Sequence, residues 1–253
     1  MLQCQKSLLS LWHTLSDPDA PISLRHSVSY ADRLRIRQPG DTQFALGPHI
    51  DGGSVERWEP NGYGVGGVYD SIFAGDEASF DPWDASTRVH AVMDNHNGLG
   101  TCSAFRAFQG WLSMSTTRGG EGTLLVNPLL KQSLTYLLLR PFFRPIRSRQ
   151  SHGYLEIDNW EMCADAEMTS ELQGASMGYG QELSDVLHPH LQLDRTMVHV
   201  PEVNPGDYVV WHCDCEWFLS CPRGFLFLNH GGLGSSHTTT TLTDTHSPSH
   251  SRR

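Results

Sequence analysis

Short strand-like runs, each stopped by Gly, Pro, Asn or Asp, recur between residues 44 and 211, and this punctuation points to a sandwich or barrel of the jelly-roll type. Phe44 to Asp51 reads as one strand. Ala107 to Ser115 partly alternates; Thr117-Arg118-Gly119-Gly120-Glu121-Gly122 then turns the chain, and Thr123 to Val126 returns as the second arm of a hairpin. Thr196 to Val200 and Tyr208 to Trp211 form a last strand pair around the turn Pro205-Gly206-Asp207. Tyr30 to Arg37 places Leu34 and Ile36 on one side and Arg33, Arg35 and Arg37 on the other, as a strand with one basic face would. Two helices flank these strands. Residues 1 to about 16 carry Leu8, Leu11, Trp12 and Leu15 at one-stripe spacing. A second runs from the Asn127-Pro128 start signal to about Leu139, stopped by Pro141.

Composition narrows the class. A hydrophobic content of 38% over 253 residues supports a sizeable core, and a mean hydropathy of -0.36 argues against a membrane protein. The most apolar run, Leu134 to Phe143, is too short for a bilayer and contains Arg140 and Pro141. Met1 to Trp12 includes Gln3, Gln5 and Lys6, which a signal peptide core would exclude. A net charge of -10, from 18 basic and 28 acidic residues, disfavours nucleic acid as a partner. The 6 cysteines are dispersed, as reduced thiols of a cytoplasmic protein are. From His230 the chain is mostly Gly, Ser, Thr and His, so residues 230–253 are expected to be a disordered tail.

The chemistry-bearing motif is Pro48-His49-Ile50-Asp51-Gly52-Gly53. Residues two apart on a strand project to one side. One imidazole and one carboxylate there supply two of the three ligands of the facial site that holds iron(II) in oxygenases. On spacing alone, a polar pair in a Gly-rich loop is the stronger reading. The third ligand should be a distant His, and His212, just after the Tyr208–Trp211 run, is a candidate. Arg33, Arg35 and Arg37 are candidates for binding an acidic substrate, and Arg88 and Arg106 for anchoring a carboxylate. Solvated surface explains the three strand arginines equally well. Cys213, Cys215, Cys221 and His212 have poor spacing for a zinc knuckle. His188-Pro189-His190 reads as a turn, and Trp83, Phe108 and Trp111 as core.

The segments PHIDGG, GWLSMS, GEGTLLVNP and PGDYVVWHCD together resemble iron(II)/2-oxoglutarate-dependent oxygenases. With DRLRIRQPGD, ERWEPNGYG, DPWDASTRVHA, DNWEMCADAEMTSELQGA and LHPHLQLDRTMVHVPEV, the likeness over residues 5–214 is closest to the domain-of-unknown-function 1479 family. That family resembles clavaminate synthase-like and phytanoyl-CoA hydroxylase-like enzymes. The resemblance implies a double-stranded β-helix, cupin-like, with Fe(II) and 2-oxoglutarate as cofactor and cosubstrate. It implies His49 and Asp51 as iron ligands and an unidentified small molecule as substrate; no protein partner is expected. It also implies a second His a few residues after Trp-His-Cys-Asp, and Trp217 stands at that position. Family segments expected before Met1 and after the last strand are missing. The expected organisation is a partial, incomplete domain at residues 1–214, an aberrant segment at 215–229 and the tail. A catalytically dead or mis-spliced remnant, serving at most as a binding domain, is the alternative to an oxygenase.

Overall fold

Apart from residues 34–36, each expected strand run contains a strand, several of them shorter than expected, but the strands pair with partners other than their neighbours in sequence. The computed structural model describes residues 2–29, 34–36, 46–99 and 101–219, all within one unit spanning Met1–Arg223. The elements are α1 (Leu2–Leu9), β1 (His49–Ile50), α2 (Asp70–Phe73), β2 (Phe108–Leu112), β3 (Leu124–Val126), α3 (Leu130–Leu139), β4 (Phe143–Pro145), β5 (Trp160–Met162), β6 (Gln181–Glu182), α4 (Leu193–Thr196), β7 (Val198–His199), β8 (Tyr208–His212) and β9 (Trp217–Leu219). Five strands form one antiparallel sheet in the order β6-β1-β9-β3-β7, while β2 pairs with β8 and β4 with β5.

The expected hairpin across residues 105–128 therefore does not form. β2 lies against β8 from Phe108↔His212 to Leu112↔Tyr208, and β3 lies between β7 and β9. The last pair, β7 and β8, is likewise split between sheets. The physical reason is that alternation reports which face of a strand is buried, not which strand it bonds. The turn after β2 joins a different neighbour: Thr117 and Val203 exchange backbone hydrogen bonds of 2.8 and 3.0 Å. β2 and β8 approach closely at Gly110, where a Cβ atom would come within 2.2 Å of the Val209 carbonyl oxygen.

The N-terminal helix stops at Leu9, short of the expected stripe. Trp12 is buried against the edges of Trp83 and Phe105, at 5.4 and 5.1 Å between rings, whereas Leu11 and Leu15 face solvent. Packing of one large aromatic ring outweighs helical continuation here. Residues 34–36 belong to no strand and are exposed; Arg33 and Arg37 lie outside the described residues, as do Phe44, Ala45, Cys221 and the tail. α3 begins three residues after Asn127, whose side-chain oxygen accepts the Leu129 N–H at 3.0 Å. Its buried face, Leu134, Leu137 and Leu138, joins Ile50, Tyr69 and Ile72 in the main core. A smaller core gathers Leu124, Val203, Val209 and Trp217.

The expected domain boundary at residue 214 is crossed by folded chain: β9, two residues beyond Cys215, is the central strand of the five-stranded sheet. Among the described residues the sheets do not close into a barrel, and no helix is long and apolar enough to cross a membrane. The five described cysteines, Cys4, Cys102, Cys163, Cys213 and Cys215, are free.

Candidate functional site

β1 and β9 run antiparallel with His49 directly opposite Trp217. The Nδ1 atom of His49 lies 2.7 Å from the Gly47 carbonyl. A carbonyl only accepts, so Nδ1 carries a proton and Nε2 is the nitrogen turned toward Asp51. That Nε2 lies 3.7 Å from Asp51 Oδ1, and the two side chains retain 15% and 29% exposure, so solvent reaches the pair. The other oxygen, Asp51 Oδ2, accepts the indole N–H of Trp217 at 2.7 Å. The Trp217 and His49 rings are 4.2 Å apart between centres, tilted by 55°. Period-two alternation from β1 into the residue that follows it places His49 and Asp51 side by side; the third side chain at that corner is an indole.

The turn behind the pair is clamped. Gly52 and Gly53 take φ values of 77° and 84°, a region that L side chains rarely adopt. Arg57 donates from Nη2 to the Asp51 carbonyl at 2.6 Å and from Nη1 to the Gly53 carbonyl at 2.8 Å. The Tyr63 hydroxyl donates to the Gly52 carbonyl between them. Three consecutive carbonyls are therefore each met by a buried donor, which fixes the aim of Asp51. Arg57 is 1% exposed; burial works against its charge, but Tyr63, Tyr69 and Asp214 more than offset that and raise its pKa.

A second, dry constellation lies behind this turn. Arg88 Nη2 meets Asp214 Oδ2 at 2.5 Å, and the Tyr69 hydroxyl donates to Asp214 Oδ1 at 2.9 Å. Burial would raise the Asp214 pKa, yet Arg88, His212 and Arg57 bring it down to about 2. Arg88 and Arg106 do line one cleft, with Gly52, Tyr63, Gln109 and Cys213 among its walls. Arg88 already has its carboxylate in Asp214, which argues against the anchoring role expected of it. Arg35 is exposed and does not line that cleft.

His212 is not brought to His49 and Asp51. It sits on β8, 6% exposed, stacked on Trp12 at 4.8 Å. Its Nε2 bonds the Pro82 carbonyl at 3.0 Å and its Nδ1 accepts the Asp214 N–H at 3.1 Å. Both nitrogens are spent on backbone groups, and burial lowers its pKa to about 4, so it is a neutral packing residue. The ligand-type atoms of His212, Cys213 and Asp214 do lie within 4.8 Å of one another. Arg88 and Tyr69 occupy the carboxylate, and burial pushes the Cys213 thiol up to about 12, away from the thiolate a metal needs. The Cys215 thiol is likewise pushed by burial to about 12, which argues against the zinc reading.

Sequence reasoning missed Arg57, Tyr63, Tyr69 and Asp214 because a charged residue reads as surface until a partner is known. It also missed Glu216, which is fully buried. Its Oε2 accepts the Ser133 hydroxyl at 2.8 Å, its Oε1 has no hydrogen-bond partner, and burial lifts its pKa to about 8. Glu216 thus faces α3 while Trp217 faces His49, as neighbours along extended chain do. The one available signal was an acid set directly before an apolar run.

These features define a class: a small antiparallel β domain with a half-open imidazole–carboxylate corner, its turn held by one buried guanidinium and one buried phenol. Residues 1–220 match the Gig2-like family, and the chain belongs to it. It is 33% identical over 214 residues to "Uncharacterized protein YbiU" of Escherichia coli (strain K12), covering 85% of this chain and 45% of that protein. The crystal structure of GlcNAc Inducible Gene 2, GIG2 (DUF1479), from Candida albicans superposes with a TM-score of 0.74 at 34% identity, over 88% of this chain and 46% of that one. A structure described as "Putative Oxidoreductase" from Salmonella typhimurium LT2 superposes with a TM-score of 0.69 at 31% identity, over 87% and 46%. The chain spans about half the length of the relatives it matches.

Proposed function

We propose that this chain carries the scaffold of a non-haem iron(II)/2-oxoglutarate-dependent oxygenase, wound as a jelly roll, and that in this chain the scaffold is non-catalytic. Family membership and the relative described as an oxidoreductase support the first half. So does the strand order: β1, β2 and β3 alternate between two sheets, as do β7, β8 and β9, which is how a jelly roll is wound. His49 through Nε2 and Asp51 through Oδ1 are the residues that would face the metal. When bound, iron with 2-oxoglutarate supplies the oxidising chemistry of such enzymes.

One observation carries the second half: the Trp217 indole N–H is seated on Asp51 Oδ2 at 2.7 Å. An indole nitrogen is a donor only and has no lone pair to give a cation. The corner holds two ligands and a plug, so the donor set does not fit a facial iron site, and catalysis needs a fixed coordination geometry. What remains is a narrow, mostly apolar cleft beside Gly52 with Arg88, Arg106 and Gln109 in its walls, and the partner we propose is a small molecule rather than nucleic acid or a membrane, in a cytoplasmic protein. Anaerobic addition of iron(II) and 2-oxoglutarate should give no visible charge-transfer absorption. A band that Asp51→Ala abolishes would overturn the non-catalytic reading.

A further inference from the structure

We infer that Trp217 alone closes a latent divalent-cation site, which one substitution, Trp217→His, would open. This rests on the reading of His49 and Asp51 as a metal-facing pair.

The register places position 217 directly across from His49 on an adjacent antiparallel strand. Side chains so paired stand within about 4.5–5.5 Å at Cβ. The indole already touches both ligands, ring to ring with His49 at 4.2 Å and N–H to oxygen with Asp51 at 2.7 Å. An imidazole on the same Cβ starts from the same place and brings a lone pair in place of a donor. Two imidazoles and one carboxylate on one face are the set that holds a ferrous or similar ion with positions left open. Nothing else at the corner needs rebuilding. Arg57 and Tyr63 already hold carbonyls 51–53, and Gly47 already sets the tautomer of His49 that leaves Nε2 free to ligate. Trp217 is itself packed beside Trp211, 4.9 Å between rings, so its replacement loosens the small core without removing the strand's other neighbours.

The test is cobalt(II) titration of the full chain, read by visible d–d absorption, on wild type, Trp217→His, Trp217→Ala and each with Asp51→Asn. Wild type should bind weakly or not at all. Trp217→His should bind at least about a hundredfold tighter, since even an outer-shell partner is worth up to that much, and Asp51→Asn should abolish the gain. Wild-type binding that Asp51→Asn removes would overturn the inference while leaving the metal-facing pair intact. Equal binding by Trp217→Ala and Trp217→His would also overturn it, since position 217 would then obstruct without ligating. Absence of binding in every folded variant would sink the metal-facing pair itself. If Trp217→His fails to fold, wild type still decides. Cobalt(II) should leave the Trp217 indole proton resonance sharp, and selective paramagnetic broadening of it would overturn the inference.

Discussion

Asp51 and Asp214 are both carboxylates fixed by the fold, and they live in opposite surroundings. Asp214 is 0% exposed and takes a guanidinium and a phenol, one on each oxygen. Asp51 keeps 29% of its side chain exposed and meets an indole N–H and an imidazole. In the dry region both oxygens of the carboxylate are taken by protein donors. The half-open region is different: His49 and Asp51 keep partial exposure, and the Trp217 indole occupies the third place at their corner. The large pKa shifts of Asp214, Cys213 and His212 lie in the dry region, where burial and mutual pairing produce them. Perturbed titration here reports architecture, and the half-open corner has to be found by geometry.

The largest expected effect is in the dry region. Asp214→Ala leaves Arg88 buried without its partner and should cost about 3–5 kcal/mol, read as a lower urea midpoint. A loss under about 1 kcal/mol would mean that water reaches Arg88 and that the two regions differ less than drawn. The pH dependence has a definite sign. With a folded pKa of about 2 against an ordinary 3.8, the stability from ionised Asp214 is present above about pH 4 and lost as pH falls toward 2.

Glu216, two residues away and equally buried, should behave oppositely because burial outweighs the pull of Arg57 and no cation pairs with it directly. Its pKa is raised from 4.5 to about 8, so the folded state favours the protonated acid. Stability should fall as pH rises from about 4.5 through about 8. Melting temperatures measured across pH 5–9 should show that slope, and Glu216→Gln should flatten it. An unchanged slope in the variant would remove Glu216 as its source.

Smaller effects sharpen the half-open side. Trp217→Phe keeps an aromatic ring but deletes the donor to Asp51. It should cost about 1–2 kcal/mol in chemical denaturation, the usual worth of a hydrogen bond to a charged, partly solvated group. No loss would mean that water replaces the indole freely. Smallest is Asn127→Ala, which removes the side-chain acceptor for the Leu129 N–H at the start of α3. About 1 kcal/mol is expected from thermal melts, as for other helix-start acceptors.

What was legible in the sequence was local. The two-residue period put His49 and Asp51 on one side of extended chain, and the family resemblance put Trp217 where a third ligand was expected. Asn127-Pro128 and Pro141 bracketed α3 because proline and a side-chain acceptor act within one turn. What stayed hidden was non-local. No pattern within residues 105–128 says that β2 will bond β8, since a strand's partner is chosen by packing far along the chain. Nor does an arginine reveal its partner: Arg88 was expected to anchor a ligand's carboxylate and is instead buried against Asp214, and Arg57 drew no notice although it is buried under the 51–53 turn. Trp12 shows the same limit: its helical spacing was real, yet a pocket among Trp83, Phe105 and His212 claimed the ring.

The central claim is that the Trp217 indole sits on Asp51 and so occupies the corner a ligand would need. Proton–nitrogen NMR of the indole side chains tests it directly. The Trp217 N–H should exchange slowly with solvent and shift when Asp51 becomes Asn. A fast-exchanging indole proton, indifferent to that substitution, would contradict the account.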